Sequence, residues 1–318
     1  RARVRPARIA PLLAAGSGSA HGGFVSTARY AVQHETLYRY DREVAHSHQQ
    51  LHLTPRASPR QRCLQHDIQI EPHPAVRSEH FDAFGNRVTR VELDRPHDRL
   101  RVIAAMEVSL EALPAPRADE GESWERVRDQ LGYHARAREQ PWLEAMRFRG
   151  ESPFVRIKRL FSDFARDCLQ PETGVLEVAS GLMAKVHAEF TYAPGETEIA
   201  TPLLEVFHKR RGVCQDYAHL MIACLRSAGL AARYVSGYLH THGTALLGAN
   251  ASHAWVAVFA PPFGWVEYDP TNNVRVAQEH IALAWGRDFG DVSPLRGVIL
   301  GGGSHTLSVR VAVNPLGA

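Results

Sequence analysis

Residues 210–239 read RRGVCQDYAHLMIACLRSAGLAARYVSGYL, and their pattern decides the fold of the second half of the chain. Apolar side chains recur here at the spacing of one helix face, at Tyr217, Leu220, Met221, Cys224, Leu225 and Ala228. Gly229 follows them, as a glycine typically does at the end of a helix. The stretch therefore predicts an amphipathic helix that is followed by a strand over residues 231–239.

Cys214 falls in the first turn of this predicted helix. A helix N-terminus carries about half a positive charge and several unpaired N–H groups, and both favour a thiolate. Gly212 would let the backbone approach a substrate closely. Position alone leaves open whether Cys214 is a nucleophile or a small buried side chain. Cys63, Cys168 and Cys224 fit the buried interpretation, Cys224 because it lies on the apolar stripe.

Two apolar segments downstream carry candidates for a base and for its partner. SHAWVAVF spans residues 252–259 and FGWVEYDPTNN spans residues 263–273, so the two strands are expected to pair as a hairpin. His253 begins the first strand and Asp269 ends the second. Because a thiolate nucleophile needs a base that is held by a third group, Cys214, His253 and Asp269 form a candidate catalytic set.

The composition narrows the class of protein. The 318 residues are 44% apolar and 22% charged, which is ordinary for a globular chain of about two domains. There is no run of about 18 apolar residues, and the net charge of +3 is small, so we expect neither a membrane nor a nucleic acid as partner. Four cysteines without a CxxC pair favour neither a disulfide framework nor a zinc ribbon.

The composition and the apolar pattern of the sequence change along the chain, and these changes predict five parts. Residues 1–27 are rich in arginine, glycine and serine, and are interpreted as a disordered lead in preference to a weak signal peptide. Residues 28–113 alternate between apolar and polar side chains, which predicts an antiparallel β domain with a hairpin turn at DAFGN. A linker and helix (114–150), a catalytic domain (151–275) and a C-terminal segment (276–318) follow.

Three local patterns give further expectations in the second half. Ser152-Pro153 predicts the start of a helix whose apolar face runs on to Cys168. Residues 272–303 are expected to be irregular, with a short helix near residues 280–284. The alternating stretch HTLSVRVAV, residues 305–313, predicts a half-exposed strand that returns to the N-terminal β domain.

The order of cysteine, histidine and aspartate, each at the end of its own element, resembles the core of the transglutaminase-like superfamily. The matching segments are GVCQDYAHLMIACLRSAGLAARYVSGY, SHAWV and GWVEYDPTNN. HETLYRYDREV and QQLHLTPR resemble the N-terminal region of the bacterial members, and HIALAWGRDFGDVSPLRGVILGGGSHTLSV resembles their C-terminal segment, so the resemblance covers about residues 29–314. One departure is Asn250, where similar proteins are expected to carry an aspartate.

The resemblance implies an α+β protein, with an N-terminal antiparallel β domain followed by a papain-like catalytic domain. It implies that Cys214 is the nucleophile, His253 the general base and acid, and Asp269 the orienting carboxylate. The reaction implied is acyl transfer through a thioester, which needs neither a cofactor nor a metal. With water as the acceptor, the protein would be a cytoplasmic bacterial cysteine peptidase or amidase that acts on a peptide or protein. With an amine as the acceptor, it would be a transglutaminase. A non-catalytic binding scaffold is the third alternative.

Four further residues are candidates for the substrate cleft. The backbone N–H of Cys214 is one expected oxyanion donor, and Tyr192 in FTYAPGET is the candidate for the second. Gln215 adjoins the nucleophile. Trp285 and Asp288 belong to a polar and aromatic segment that follows the candidate set, and this segment is predicted to line the cleft.

Overall fold

The computed structural model describes residues 26–132, 139–241, 247 and 252–317. The predicted lead, residues 1–27, lies outside this part of the chain except for Ser26 and Thr27, and so does Asn250. Within the described ranges, every helix is too short or too polar to cross a membrane.

The N-terminal region forms an antiparallel sheet around one long strand. Its strands are β1 (Thr27–Leu51), β2 (Gln61–Glu71), β3 (Val76–Phe81), β4 (Arg87–Leu93) and β5 (His97–Glu111), in the spatial order β2-β5-β1-β4-β3. The predicted alternation is present in β1, where Tyr30, Val32, His34 and Thr36 are buried. The DAFGN turn joins β3 to β4, with Gly85 at φ 73°, a value that glycine adopts without strain.

The described residues form seven α-helices, most of them in the second half of the chain. They are α1 (Trp124–Gln130), α2 (Gln140–Met146), α3 (Arg159–Ala165), α4 (Val175–Glu189), α5 (Leu203–Lys209), α6 (Cys214–Ser227) and α7 (Phe289–Val292). Helix α6 is the predicted amphipathic helix, and it packs on the second sheet with α3, α4 and α5 around it. Almost all of its residues are buried, because neighbours cover it on several sides.

The second sheet is antiparallel. Its strands are β8 (Ala232–Leu239), β9 (His253–Phe259), β10 (Trp265–Asp269), β11 (Val274–Arg275) and β12 (His280–Gly286), in the order β11-β10-β9-β8-β12. Two short strands, β6 (Thr191–Tyr192) and β7 (Arg211–Gly212), pair in parallel beside it. The helices pack against the second sheet, and the N-terminal sheet packs against Tyr238, Ile281 and Leu283 of β8 and β12. The predicted α+β class, with a β-rich N-terminal region, is confirmed.

The helix that was expected to start at Ser152-Pro153 begins only at Arg159. Tertiary hydrogen bonds hold the preceding residues in a loop: Arg226 donates to the Ser152 hydroxyl at 3.2 Å, and the Phe154 N–H donates to Asp288 at 2.9 Å. The apolar residues that imitate a helix face in the sequence, such as Phe154, are packed from this loop instead.

The short helix expected near residues 280–284 is wrong, because this stretch is strand β12 and pairs with β8. After His280 the stretch is apolar throughout, and a short buried strand cannot be separated from a short buried helix by periodicity. Part of the predicted C-terminal segment 276–318 therefore belongs to the second sheet.

The last two strands, β13 (Leu295–Gly301) and β14 (His305–Leu316), both pair antiparallel with β1. The expected return of residues 305–313 to the N-terminal sheet is confirmed, since β14 pairs with β1 from Arg29 to Tyr40. Glycines at positive φ, Gly301 to Gly303, form the turn between β13 and β14.

We expect a chain that ends at Gly301 to aggregate. Loss of β14 would uncover the β1 edge from Arg29 to Tyr40, and an unpaired edge strand is a template for association with other chains. Size-exclusion chromatography with light scattering measures this. A chain that ends at Asn314 keeps most of the pairing and is the control. A monodisperse, fully active protein ending at Gly301 would contradict the expectation.

Candidate active site

Cys214 is the first residue of α6, and the preceding turn is held by a buried carboxylate. Asp216 accepts hydrogen bonds from the Val213 N–H at 2.8 Å and from the Thr197 hydroxyl at 2.7 Å. A Cβ at Gly212 would lie 2.6 Å from Asp216 Oδ2, so the turn requires glycine there. Cys214 is half-buried and lines a cavity, whereas Cys224 is fully buried. The local sequence therefore fixes the thiol at a helix N-terminus with access to a cavity.

His253 and Asp269 are brought together by the β9–β10 hairpin. His253 Nε2 donates to Asp269 Oδ2 at 2.8 Å, and both side chains are almost completely buried. His253 Nδ1 has no hydrogen-bond partner among the described residues, and His253 lines the same cavity as Cys214. One imidazole nitrogen thus holds the carboxylate, and the other remains available on the ring.

The charges of this pair stabilise each other strongly. Burial alone would lower the pKa of His253, but the charge and hydrogen bond of Asp269, together with Cys214, raise that pKa to about 10. Burial would raise the pKa of Asp269, yet its histidine partners hold it well below its ordinary value. The geometry therefore favours an imidazolium and a carboxylate at neutral pH.

His280, at the start of β12, is a second histidine on the same carboxylate, and the sequence patterns do not predict it. Its Nε2 donates to Asp269 Oδ2 at 3.2 Å, and the Trp255 ring packs edge-on at 5.3 Å between centroids. Burial lowers the pKa of His280, which favours a neutral donor. One signal was present, since His280 begins an apolar strand just as His253 does.

The turn that follows Asp269 completes its environment. Asp269 Oδ1 accepts from the backbone N–H groups of Thr271 at 3.0 Å and Asn272 at 3.3 Å. The Asn272 side-chain amide donates to Oδ2 at 2.7 Å. An aspartate that bonds to backbone groups two and three residues later is typical of an Asx turn, so the DPTN sequence itself orients the carboxylate.

His253, Asp269 and His280 are also close enough to consider as metal ligands, since their donor atoms lie within 4.8 Å of one another. Histidine binds a metal only when it is neutral, and the raised pKa of His253 opposes that state. The cluster is therefore better described as a hydrogen-bonded group.

Two of the remaining candidates lie near the thiol. Tyr192 pairs with Gly212 through β6 and β7. Burial, with the charges of Cys214 and Asp269, raises the pKa of Tyr192 to about 12. Gln215 lines the cavity beside Cys214, and its amide donates to the Ile199 carbonyl at 3.2 Å.

The structure places Trp285 and Asp288 away from the walls of this cavity. The Trp285 ring lies between the guanidinium groups of Arg56 and Arg233, at 3.4 and 3.6 Å from its centroid. Asp288 is fully buried, caps α7 and accepts the Phe154 N–H. The structure thus shows packing for Trp285 and anchoring of a loop for Asp288, and their place in a substrate cleft stays a prediction.

The cavity beside the thiol has a volume of about 250 Å³. Cys214 of α6 and His253 of β9 lie in its wall, and Phe289 of α7 joins them. Side chains of β1 and β14 line it as well, so both the N-terminal sheet and the second half of the chain contribute to the site.

Comparison with known sequences gives two family matches. Residues 30–109 match the bacterial transglutaminase-like N-terminal region, and residues 162–270 match the transglutaminase-like superfamily. An uncharacterized protein of Mycobacterium tuberculosis is 37% identical over 301 residues, which cover 91% of this chain and 93% of that protein. An uncharacterized protein of Mycobacterium leprae is 33% identical over 293 residues, 91% of this chain and 99% of that protein.

A protein-glutamine gamma-glutamyltransferase of Pseudomonas aeruginosa is 39% identical over 105 residues, which are 29% of this chain and 15% of that protein. The crystal structure of a "Putative Cysteine Protease" from Cytophaga hutchinsonii superimposes with a TM-score of 0.71 over 92% of both chains, at 17% identity, and so shares the fold. The chain belongs to the transglutaminase-like superfamily and carries the N-terminal region of its bacterial members.

Proposed function

We propose that the protein is a cysteine peptidase or amidase in which Cys214, His253 and Asp269 form a catalytic triad. The observation that carries the proposal is the buried pair of His253 and Asp269 at 2.8 Å, in a cavity that Cys214 also lines. Membership of a superfamily with cysteine-based catalysis supports it. We also propose a cytoplasmic location, which the free state of all four cysteines supports.

The proposed reaction has two steps. In the first, the Cys214 thiolate attacks the substrate carbonyl carbon, the C–N bond breaks, and the His253 imidazolium gives its Nδ1 proton to the departing amine. In the second, neutral His253 takes a proton from water, the resulting hydroxide attacks the thioester, and the thiolate leaves. The products are a carboxylic acid and an amine, and the imidazolium is restored.

The negative charge that develops on the carbonyl oxygen needs donors. The backbone N–H of Cys214 lies at the N-terminus of α6 and is the first donor we propose. Tyr192 is the second, because it is held beside Gly212 and lies within electrostatic range of Cys214. Loss of one such donor typically costs about 3 kcal/mol of transition-state stabilisation.

We expect a peptide library to contain substrates that the protein cleaves and that Cys214→Ala does not. On such a substrate, Cys214→Ala and His253→Ala should each remove nearly all activity, and Asp269→Asn should retain more. Groups that act as a unit are not additive, so the Cys214→Ala/His253→Ala double variant should lose little beyond either single one. Kinetics of the three single variants and of the double variant measure this, and additive losses would contradict a shared role.

Water and an amine attack the same thioester, so an amine acceptor is the alternative. The similarity to the Pseudomonas aeruginosa gamma-glutamyltransferase is the observation that favours it. A glutamine peptide incubated with a fluorescent primary amine separates the two. We expect release of ammonia or a peptide fragment without incorporation of the amine. Fluorescent product that depends on Cys214 would instead identify a transglutaminase.

His280→Phe should move the acidic limb of the kcat/KM profile to higher pH. The His280 hydrogen bond helps to lower the pKa of Asp269, so without it the carboxylate becomes protonated at a higher pH and releases His253 sooner. His280→Gln keeps an amide donor and should lie closer to the wild type. If His280→Phe lowers the thermal unfolding temperature and leaves the acidic limb unchanged, then His280 has only a structural role.

A further inference from the structure

We propose that the cavity beside Cys214 is a subsite for an uncharged, apolar side chain next to the reactive carbonyl of the substrate, and that the N-terminal sheet sets this specificity. The inference rests on the proposed acyl transfer by Cys214 and names its substrate class. The cavity volume of about 250 Å³ lies below the usual range for sites that hold drug-sized ligands, roughly 300–1,000 Å³, and suits a single side chain.

The lining of the cavity contains no aspartate, glutamate, lysine or arginine among the described residues. Beside the thiol it presents Ile199, Phe289, Pro294 and Leu295. The Cys214 thiolate and the His253 imidazolium proposed for this wall are already paired, with each other and with Asp269. A charged substrate group that entered here would therefore lose its water without gaining a free ion-pair partner, and an uncharged one would gain apolar contact.

The opposite wall comes from two paired strands of the N-terminal sheet. Thr36 and Tyr38 of β1 line the cavity, and their cross-strand partners in β14, Val309 and Leu307, line it with them. Alternate residues of a strand point to opposite faces, so this wall is set by the register of the two strands.

The other face of the same strands has the opposite chemistry. The intervening residues of β1 and β14, among them Arg39, Ser308 and Arg310, line a separate surface cavity together with Arg99 and Arg101 of β5. The sheet therefore directs its charged side chains away from the thiol. A chain with 34 arginines places none in the described wall of this cavity.

Among the described residues, His34 is the one basic side chain that the N-terminal sheet brings to the cavity, and it adds no charge at neutral pH. Burial lowers its pKa to about 4. Its Nε2 lies 2.7 Å from the Thr36 hydroxyl, and its Nδ1 lies 3.0 Å from the Tyr238 hydroxyl, so both nitrogens are occupied. The histidine fixes the wall and does not offer a cation to an acidic substrate.

The test uses peptidyl chloromethyl ketones that are identical except for a leucyl, lysyl or aspartyl side chain next to the ketone. The Cys214 thiolate displaces chloride and forms a thioether, which mass spectrometry locates. Rates are divided by the rate with iodoacetamide, which reports intrinsic thiol reactivity. We expect the leucyl probe to react at least about 100-fold faster than the charged probes, a ratio that apolar pockets reach.

Charge introduced into the wall should change this order. Leu307 is 48% exposed on an edge strand, so substitution there is compatible with folding. Leu307→Asp should raise the lysyl-to-leucyl rate ratio at least tenfold, and Leu307→Lys should do the same for the aspartyl probe. Ser308→Asp and Ser308→Lys, one residue away on the opposite face, are the matched controls and should leave the ratios unchanged.

Equal rates for the three probes in the wild type, or equal shifts from Leu307 and Ser308 variants, would overturn the inference and leave the proposed function intact. If neither iodoacetamide nor any ketone prefers Cys214 over Cys63 and Cys168, the proposed function fails and the inference fails with it.

Discussion

The candidate active site depends on one buried carboxylate. Asp269 has no exposed surface, yet its two oxygens accept five hydrogen bonds, from His253, His280, Asn272 and the backbone of residues 271 and 272. Removal of one partner from a buried ion pair costs about 3–5 kcal/mol, so the protein must deliver these donors together. That requirement brings together the start of β9, the end of β10 and the start of β12. It also orients the His253 ring toward the cavity.

Side chains of the N-terminal sheet line the cavity of the candidate site, and the sheet also packs against the second sheet. Strand β1 packs on β8 and β12 through one face, and the same face continues into the cavity beside Cys214. Strand β14 reaches that cavity only because the chain returns, after the second sheet is complete, to pair with β1. The first and the last of the described strands therefore both line the cavity beside the Cys214 thiol.

Sequence patterns predicted the elements whose environment is simple. Strand β1 buries one face, so its alternation shows in the sequence, and the pairing of β14 followed from its own alternation. The apolar stripe of α6 shows as well, although neighbours bury nearly all of that helix. The contact between His280 and Asp269 does not follow from these patterns. Strands β9 and β8 lie between β10 and β12 in the sheet, so the two strands that carry these residues do not pair. The sequence predicts a helix from Ser152 where the structure has a loop. The prediction fails because Arg226, which holds this loop, is distant in sequence.

Helix α6 couples the thiol to Phe289, which lines the cavity beside it. At its far end, buried Arg226 donates to the carbonyls of Ala232 and Arg287, which fixes the chain just before α7. At its middle, neutral His219 accepts the Phe289 N–H at 3.1 Å, its pKa lowered to about 3 by burial. Phe289 lines the cavity that Cys214 enters at the first turn. One helix therefore carries the thiol and also holds Phe289 in the wall of the cavity.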